Sequence, residues 1–230
     1  MYGGPLVSLN DAFGWQGFPE ALFYGADNAL RFELAGDAQD GPLRLLRAMD
    51  RARVITSEIF ASSETLTAIV NHYDGRKRTR RGAVSFKKLA EIGFHNSFVG
   101  PDRVPQYDES SISKFGEDLY CYWYTADFCR SERSMTALLW AAFARDIPVS
   151  PKVRWLERIY IADIARKIVI HPYDSRGMDV IAAENEVLVP LYERLGSWLL
   201  PYDRESMDAK FRRSPVANVQ HSFERPDSIT

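Results

Sequence analysis

Nine consecutive residues, His171-Pro-Tyr-Asp-Ser-Arg-Gly-Met-Asp179, gather an imidazole, two carboxylates and a guanidinium around one glycine. Such a set could do proton-transfer chemistry, with the imidazole and a carboxylate as acid and base. It could contribute oxygen ligands to a cation, with Asp163, Asp174 and Asp179 as candidates, although three acids in one hairpin are few for that role. It could present Asp174, Arg176 and Asp179 as anchors for a partner molecule. The plainest reading is a self-bonded turn: the acids accept from backbone N–H groups or from the Arg176 fork, and Gly177 supplies a positive φ.

Other constellations are sparser. Arg76-Lys-Arg-Thr-Arg-Arg81 places five positive charges in six residues, which would suit phosphates, yet no aromatic residue for stacking lies inside the run. The histidines (His72, His95, His171 and His221) have no zinc spacing, although His72 and His171 both fall at strand ends and could meet. There is no nucleophile elbow and no phosphate-binding or dinucleotide-binding glycine loop. No metal or cofactor is implied. Tyr120, Tyr122 and Tyr124 share one face of a strand-like segment and Trp123 the other, a pattern of core packing or of a binding surface.

The elements that must position these groups follow from periodicity. Residues 1–20, rich in glycine and aromatics, read as an irregular segment pinned by Phe13, Trp15 and Phe18. Ala29–Leu34 alternates as a strand. Pro42 opens a helix reaching Phe60, and Glu64–Val70 is a second strand. A short helix over Ser85–Ile92, with Ser85 as N-cap, precedes a long polar excursion over 93–114. Glu117–Phe128 is a β-prone aromatic strand, and Ser134 caps a helix over Met135–Arg145. The strand-like run Arg158–Ile170 and the run Val180–Ala183 form a hairpin around the 171–179 turn. After Glu184 a final helix runs through Val187, Leu191, Leu195 and Leu199, beginning or kinking at Pro190, with a short one over 203–211. The resulting order, β-α-β-α-β-α-β-β-α, implies an α+β fold with a mixed or antiparallel sheet and packed helices, one domain over 1–211 and a flexible tail over 212–230.

Composition narrows the function. The chain has 230 residues, 46% hydrophobic and 26% charged, with a formal charge of −2, so no global basic field favours nucleic acid. Cys121 and Cys129 are eight residues apart, about 26 Å along a strand, and are expected as reduced, buried thiols. The N-terminus lacks a basic region followed by an apolar stretch, so a cytoplasmic protein is expected, away from membranes.

Several stretches resemble a bacterial family known as domain of unknown function 3885. They are Leu22-Phe-Tyr24 with Leu30-Arg-Phe-Glu-Leu34, and a C-terminal block over about 153–211. That block holds Tyr160-Ile-Ala-Asp163, Tyr173-Asp-Ser-Arg-Gly-Met-Asp-Val-Ile-Ala182, Leu191-Tyr-Glu193, Trp198-Leu-Leu-Pro-Tyr-Asp-Arg-Glu205 and Phe211. The family usually reads Asp-Asp-Arg-Gly in the turn, where this chain has Ser175. The resemblance implies no activity. It implies a setting similar to that of bacterial immunity proteins, which are small cytoplasmic proteins that neutralise a cognate toxin. On that basis the chain is expected to be a non-enzymatic binding protein that covers a toxin's active site, its oligomeric state open. Asp102, Asp108, Glu109, Glu117 and Asp118 would offer an acidic surface to a basic toxin, with Asp174, Arg176 and Asp179 in support. A hydrolase-type enzyme using the 171–179 turn and a nucleic-acid or regulatory module using residues 76–81 are the alternatives.

Overall fold

The computed structural model describes residues 5–19, 21–38, 41–75, 77, 79–105 and 119–212. The helices are α1 (Pro5–Phe13), α2 (Leu22–Gly25), α3 (Gly41–Ile59), α4 (Arg81–Glu91), α5 (Glu132–Phe143), α6 (Val189–Arg194) and α7 (Arg204–Phe211). The strands are β1 (Ala29–Glu33), β2 (Thr65–Gly75), β3 (Val99–Pro105), β4 (Leu119–Cys129), β5 (Arg158–Asp163), β6 (Ile168–Asp174) and β7 (Gly177–Ala182). They form one sheet in the order β1-β7-β6-β5-β2-β4-β3, with every neighbouring pair antiparallel. The fold is α+β, and the sheet is antiparallel rather than mixed.

The two faces of the sheet differ in chemistry. One carries the cross-strand row Leu30, Val180, Ile170, Ile161 and Ala68, all buried. On the same side α4 lies against His72 and Tyr124, while α5 packs on β5, β6, α3 and α4. The opposite face carries Arg31, Asp179, His171, Tyr160 and Trp123, and the N-terminal segment covers part of it. Phe13, Trp15 and Phe18 form a chain of ring contacts ending on Trp123 and Tyr160, with centroids 5.3 and 4.9 Å from Phe18. Tyr122 and Tyr124 stack on His72, so β4 divides its aromatics between the faces as the alternation predicts.

Several boundaries differ from expectation. The N-terminal segment contains α1, whose Leu6 and Leu9 are buried one helical turn apart. The run Arg158–Ile170 is two strands, because Asp163 accepts from the Arg166 N–H and Lys167 takes a φ of 53°, closing a turn. The excursion over 93–114 contains β3, an edge strand with two prolines and a register shift between Val99 and Asp102. Ser85 is no cap: α4 starts at Arg81, and the buried Ser85 hydroxyl donates its one proton to the Arg154 carbonyl, with the Arg81 carbonyl also within reach at 3.0 Å. Helix α5 starts at Glu132, capped by Ser131, which accepts from the Ser134 N–H. Helix α6 begins at Val189, with Pro190 in its first turn, and ends at Arg194 short of the expected Leu199, where Gly196 opens a separate 3-10 turn. Cys121 is buried as expected, whereas Cys129, at the end of β4, is exposed. The tail from residue 213 lies outside the described residues. Among those residues, no helix is long and apolar enough to cross a membrane.

Candidate functional site

The 171–179 stretch is mostly strand. His171 to Asp174 complete β6 and Gly177 to Asp179 begin β7, leaving Ser175 and Arg176 as the turn. The buried Asp174 carboxylate organises this tip, accepting from the Arg176 backbone N–H (2.7 Å), Nε (3.0 Å) and Nη2 (2.5 Å). The Arg176 side chain is nonetheless 71% exposed, so one edge of its guanidinium is held by Asp174 while the rest faces solvent. Its own carbonyl accepts from the Leu34 N–H at 2.7 Å, tying the tip to the end of β1. The buried Ser175 hydroxyl donates to Asp146 Oδ2 at 3.0 Å, and Arg44 donates to the same oxygen.

Gly177 has a different role from the one expected. Its φ is not positive; the position needs glycine because the chain passes close to its neighbours. A Cβ there would collide with the Tyr173 hydroxyl and lie 2.9 Å from the Phe32 carbonyl oxygen. The requirement is close approach, not a left-handed backbone.

Behind the tip, a polar row crosses the sheet. Arg31 and Asp179 are register partners, as are Asp179 and His171, and the His171 ring stacks on Tyr160 at 4.3 Å. Arg31 grips Asp179 through two hydrogen bonds, Nε to Oδ1 (2.7 Å) and Nη2 to Oδ2 (3.0 Å). Its Nη1 donates to Tyr24 Oη and Asp203 Oδ2, and its guanidinium lies over the Phe23 and Tyr24 rings. The Phe23 N–H completes the shell of Asp179. Burial pushes the Asp179 carboxyl above the ordinary carboxylate range, against the pull of Arg31 and the Phe23 N–H. Burial, reinforced by Asp179, likewise raises the Tyr173 phenol. His171 is driven down to about 3, first by burial and then by the positive charges of Arg158, Arg145 and Arg31. It is therefore a neutral imidazole at physiological pH, with a buried Nδ1 that has no hydrogen-bond partner among the described residues.

The structure separates the candidate residues. Arg176 is at the surface, whereas Asp174 is buried beneath it and Asp179 is 1% exposed, spent on Arg31. Neither carboxylate is placed to touch a partner directly, because each is consumed by an arginine of the same chain. Asp102 is half-buried on β3, opposite Trp123. Asp108, Glu109, Glu117 and Asp118 lie outside the described residues, as do Arg76 and Arg78 of the basic run. His72 and His171 do not meet, since they occupy opposite faces of the sheet. Asp163 is buried beside Ser63 and far along β5 from the tip, and no group of metal-ligating side chains occurs among the described residues. Sequence reasoning missed Arg31, Tyr24 and Asp203 as members of the polar row. The available signal was that all three fall within the stretches that carry the family resemblance.

Comparison with known proteins agrees with that distribution. The family model described as Domain of unknown function (DUF3885) matches residues 7–203, a span containing the hairpin tip and the whole polar row. A Bacillus subtilis (strain 168) protein, described as uncharacterized protein YnaE, is 22% identical over 173 residues. The alignment covers 70% of this chain and 77% of that relative. No solved structure matches the chain.

Proposed function

This chain belongs to the DUF3885 family, and from that premise we propose that it acts by binding another macromolecule rather than by catalysis, as a cytoplasmic immunity protein that occludes a toxin's active site. The observation that carries the reading is the Asp174–Arg176 tip: an arginine immobilised by a buried carboxylate and turned to solvent. A pre-ordered guanidinium loses little freedom on docking and can meet carboxylate, phosphate or aromatic groups with its plane and with the edge that Asp174 leaves open. Arginines of this kind recur among the residues that dominate interface energetics. Asp146 and Arg44 flank it and extend a mixed-charge rim.

Two further features support binding over catalysis. His171, Asp174 and Arg176 do not converge on a shared cleft, because the imidazole stacks on Tyr160 while Arg176 closes on Asp174 at the solvent-facing tip. The acids at 102, 108, 109, 117 and 118 would add a negative approach surface that steers a basic toxin domain. The test is co-expression and co-purification with the product of the neighbouring coding sequence. Rescue of growth and a stable complex are expected, with Arg176→Glu weakening the complex at least tenfold in a protein still folded at the assay temperature, its melting temperature lowered because Asp174 loses the guanidinium and faces a like charge. Neither binding nor rescue would overturn the reading, and so would full affinity in the Arg176→Glu protein.

A further inference from the structure

On a different surface, we propose that the groove between α4 and the segment 149–155 binds single-stranded nucleic acid, with Trp155 as the stacking platform. The groove, of about 460 Å³, is lined by Val84 and Lys88 from α4 and by Val149, Ser150, Lys152, Arg154 and Trp155 from the facing segment. Its lining holds three cations and no acid. Arg81 adds a fourth: it shares a helix face with Val84 and Lys88, and its guanidinium lies 4.7 Å from the centre of the Trp155 ring. Arg80 and Lys77, both exposed, precede it in the chain. The compensating acids are few: Asp74 lies buried 3.7 Å from Arg81, and Glu91 pairs with Lys88. A chain of net charge −2 thus concentrates positive charge here.

Trp155 is the second, independent observation. It is 47% exposed and takes a φ of 72°, a left-handed conformation that bulky residues rarely adopt. Its neighbours enforce that posture. Val153 and Leu156 are buried in the core. The Arg154 carbonyl accepts from Ser85, and the Leu156 carbonyl accepts from Arg145 at 3.3 Å. Packing alone would favour turning an indole inward. Here the backbone is pinned on both sides so that the indole faces outward beside a cationic groove, and strained residues of this kind cluster at ligand clamps. The sequence showed the basic run without an interleaved aromatic; the fold supplies one from residue 155. Cations on both walls with one flat ring suit a flexible strand, whose phosphates meet lysine and arginine while a base stacks. An acidic peptide would engage the charges and leave the indole unused.

The test is fluorescence anisotropy of labelled twelve-residue oligothymidylate and oligouridylate, titrated with the full chain between 50 and 200 mM salt. Saturable binding is expected, its affinity falling with salt at a logarithmic slope between about −1.4, from Lys152 and Arg154 alone, and about −3, if phosphates also displace Asp74 from Arg81 and Glu91 from Lys88. Trp155→Gly should lower affinity about fivefold or more in a chain still folded at the assay temperature, since glycine accepts this backbone freely and offsets part of the lost contact with Arg81. Trp155→Asn serves as a second variant tolerant of the same φ. Lys152→Glu/Arg154→Glu should weaken binding and flatten the salt slope, and Glu205→Gln, an exposed position outside the groove, should leave oligonucleotide affinity unchanged. No saturable binding at the lowest salt overturns the proposal. So does unchanged affinity in both Trp155 variants, or equal competition by duplex DNA or polyglutamate.

Discussion

Arg31 and Asp179 stand directly opposite each other on β1 and β7, joined by two hydrogen bonds of 2.7 and 3.0 Å, with Asp179 almost wholly buried. Removing one member strands the other in the interior. Asp179→Leu is expected to cost about 3–5 kcal/mol. The double variant Arg31→Met/Asp179→Leu should recover most of that loss, since apolar groups of similar volume replace the pair. Urea unfolding of the two single variants and the double checks this. A double variant as unstable as the sum of the singles would show that the contacts of Arg31 with Tyr24 and Asp203 matter more than the pair.

His171 makes stability depend on acidity. Its folded value is near 3, below the ordinary imidazole value of 6.5, so the unfolded chain binds the extra proton between these limits. Stability is fully present above about pH 6.5 and is lost as the pH falls, by about 2 kcal/mol from this group between pH 6.5 and 5. His171→Phe keeps a ring under Tyr160 and removes the titration. Its melting temperature should be close to that of the parent at pH 7.5 and should decline less on acidification. An unchanged pH profile in the variant would rule out His171 as the source.

Much of the fold was legible because its strands and longest helix carry clear patterning: β1, α3 and β4 all fall within a few residues of where alternation, helical spacing and β-prone aromatics place them, whereas the helix spaced through Leu199 ends at Arg194. What escaped depends on single side-chain bonds or on tertiary context. The Asp163 carboxylate breaks one β-prone run into two strands, and no pattern of hydrophobicity records that. Edge strand β3, with prolines and half-buried residues, lacks the alternation of a covered strand. At the site, the turn was visible as a cluster of chemistry, but its division was not. Whether an aspartate faces solvent or an arginine from 148 residues away is decided by pairing register, which sequence spacing does not encode.

Gly177 is fixed by crowding. Any side chain there meets Tyr173 and, less yieldingly, the Phe32 backbone oxygen at 2.9 Å. Gly177→Ala is therefore expected to destabilise by about 1–3 kcal/mol, as overpacked sites do. Tyr173→Phe in the same chain removes the hydroxyl and should restore part of the loss, the remainder reflecting the backbone contact. Thermal melts of the three variants separate the two contributions. If Gly177→Ala were neutral, β1 and β7 would have to part more easily than their register suggests.

Ser175 sets a neutral hydroxyl against a carboxylate at the hairpin tip. Its hydroxyl donates to Asp146 Oδ2 at 3.0 Å in a buried position, so an aspartate there would set two carboxylates against one another. Like charges at such a distance cannot both ionise without cost, and the pair would retain a proton to higher pH. Ser175→Asp is expected to lose about 1–3 kcal/mol at neutral pH, the scale of a buried polar group deprived of its partner. The sign follows from linkage: a carboxyl raised in the folded state is tolerated in acid, and its stability is lost as the pH rises through that raised value. Adding Asp146→Asn should reverse the effect, because the amide can donate where the carboxylate could only accept. Melting temperatures of the single and double variants from pH 4 to pH 8 decide it. A Ser175→Asp protein as stable as the parent at pH 8 would mean that Arg44, which also reaches Asp146, absorbs the second charge.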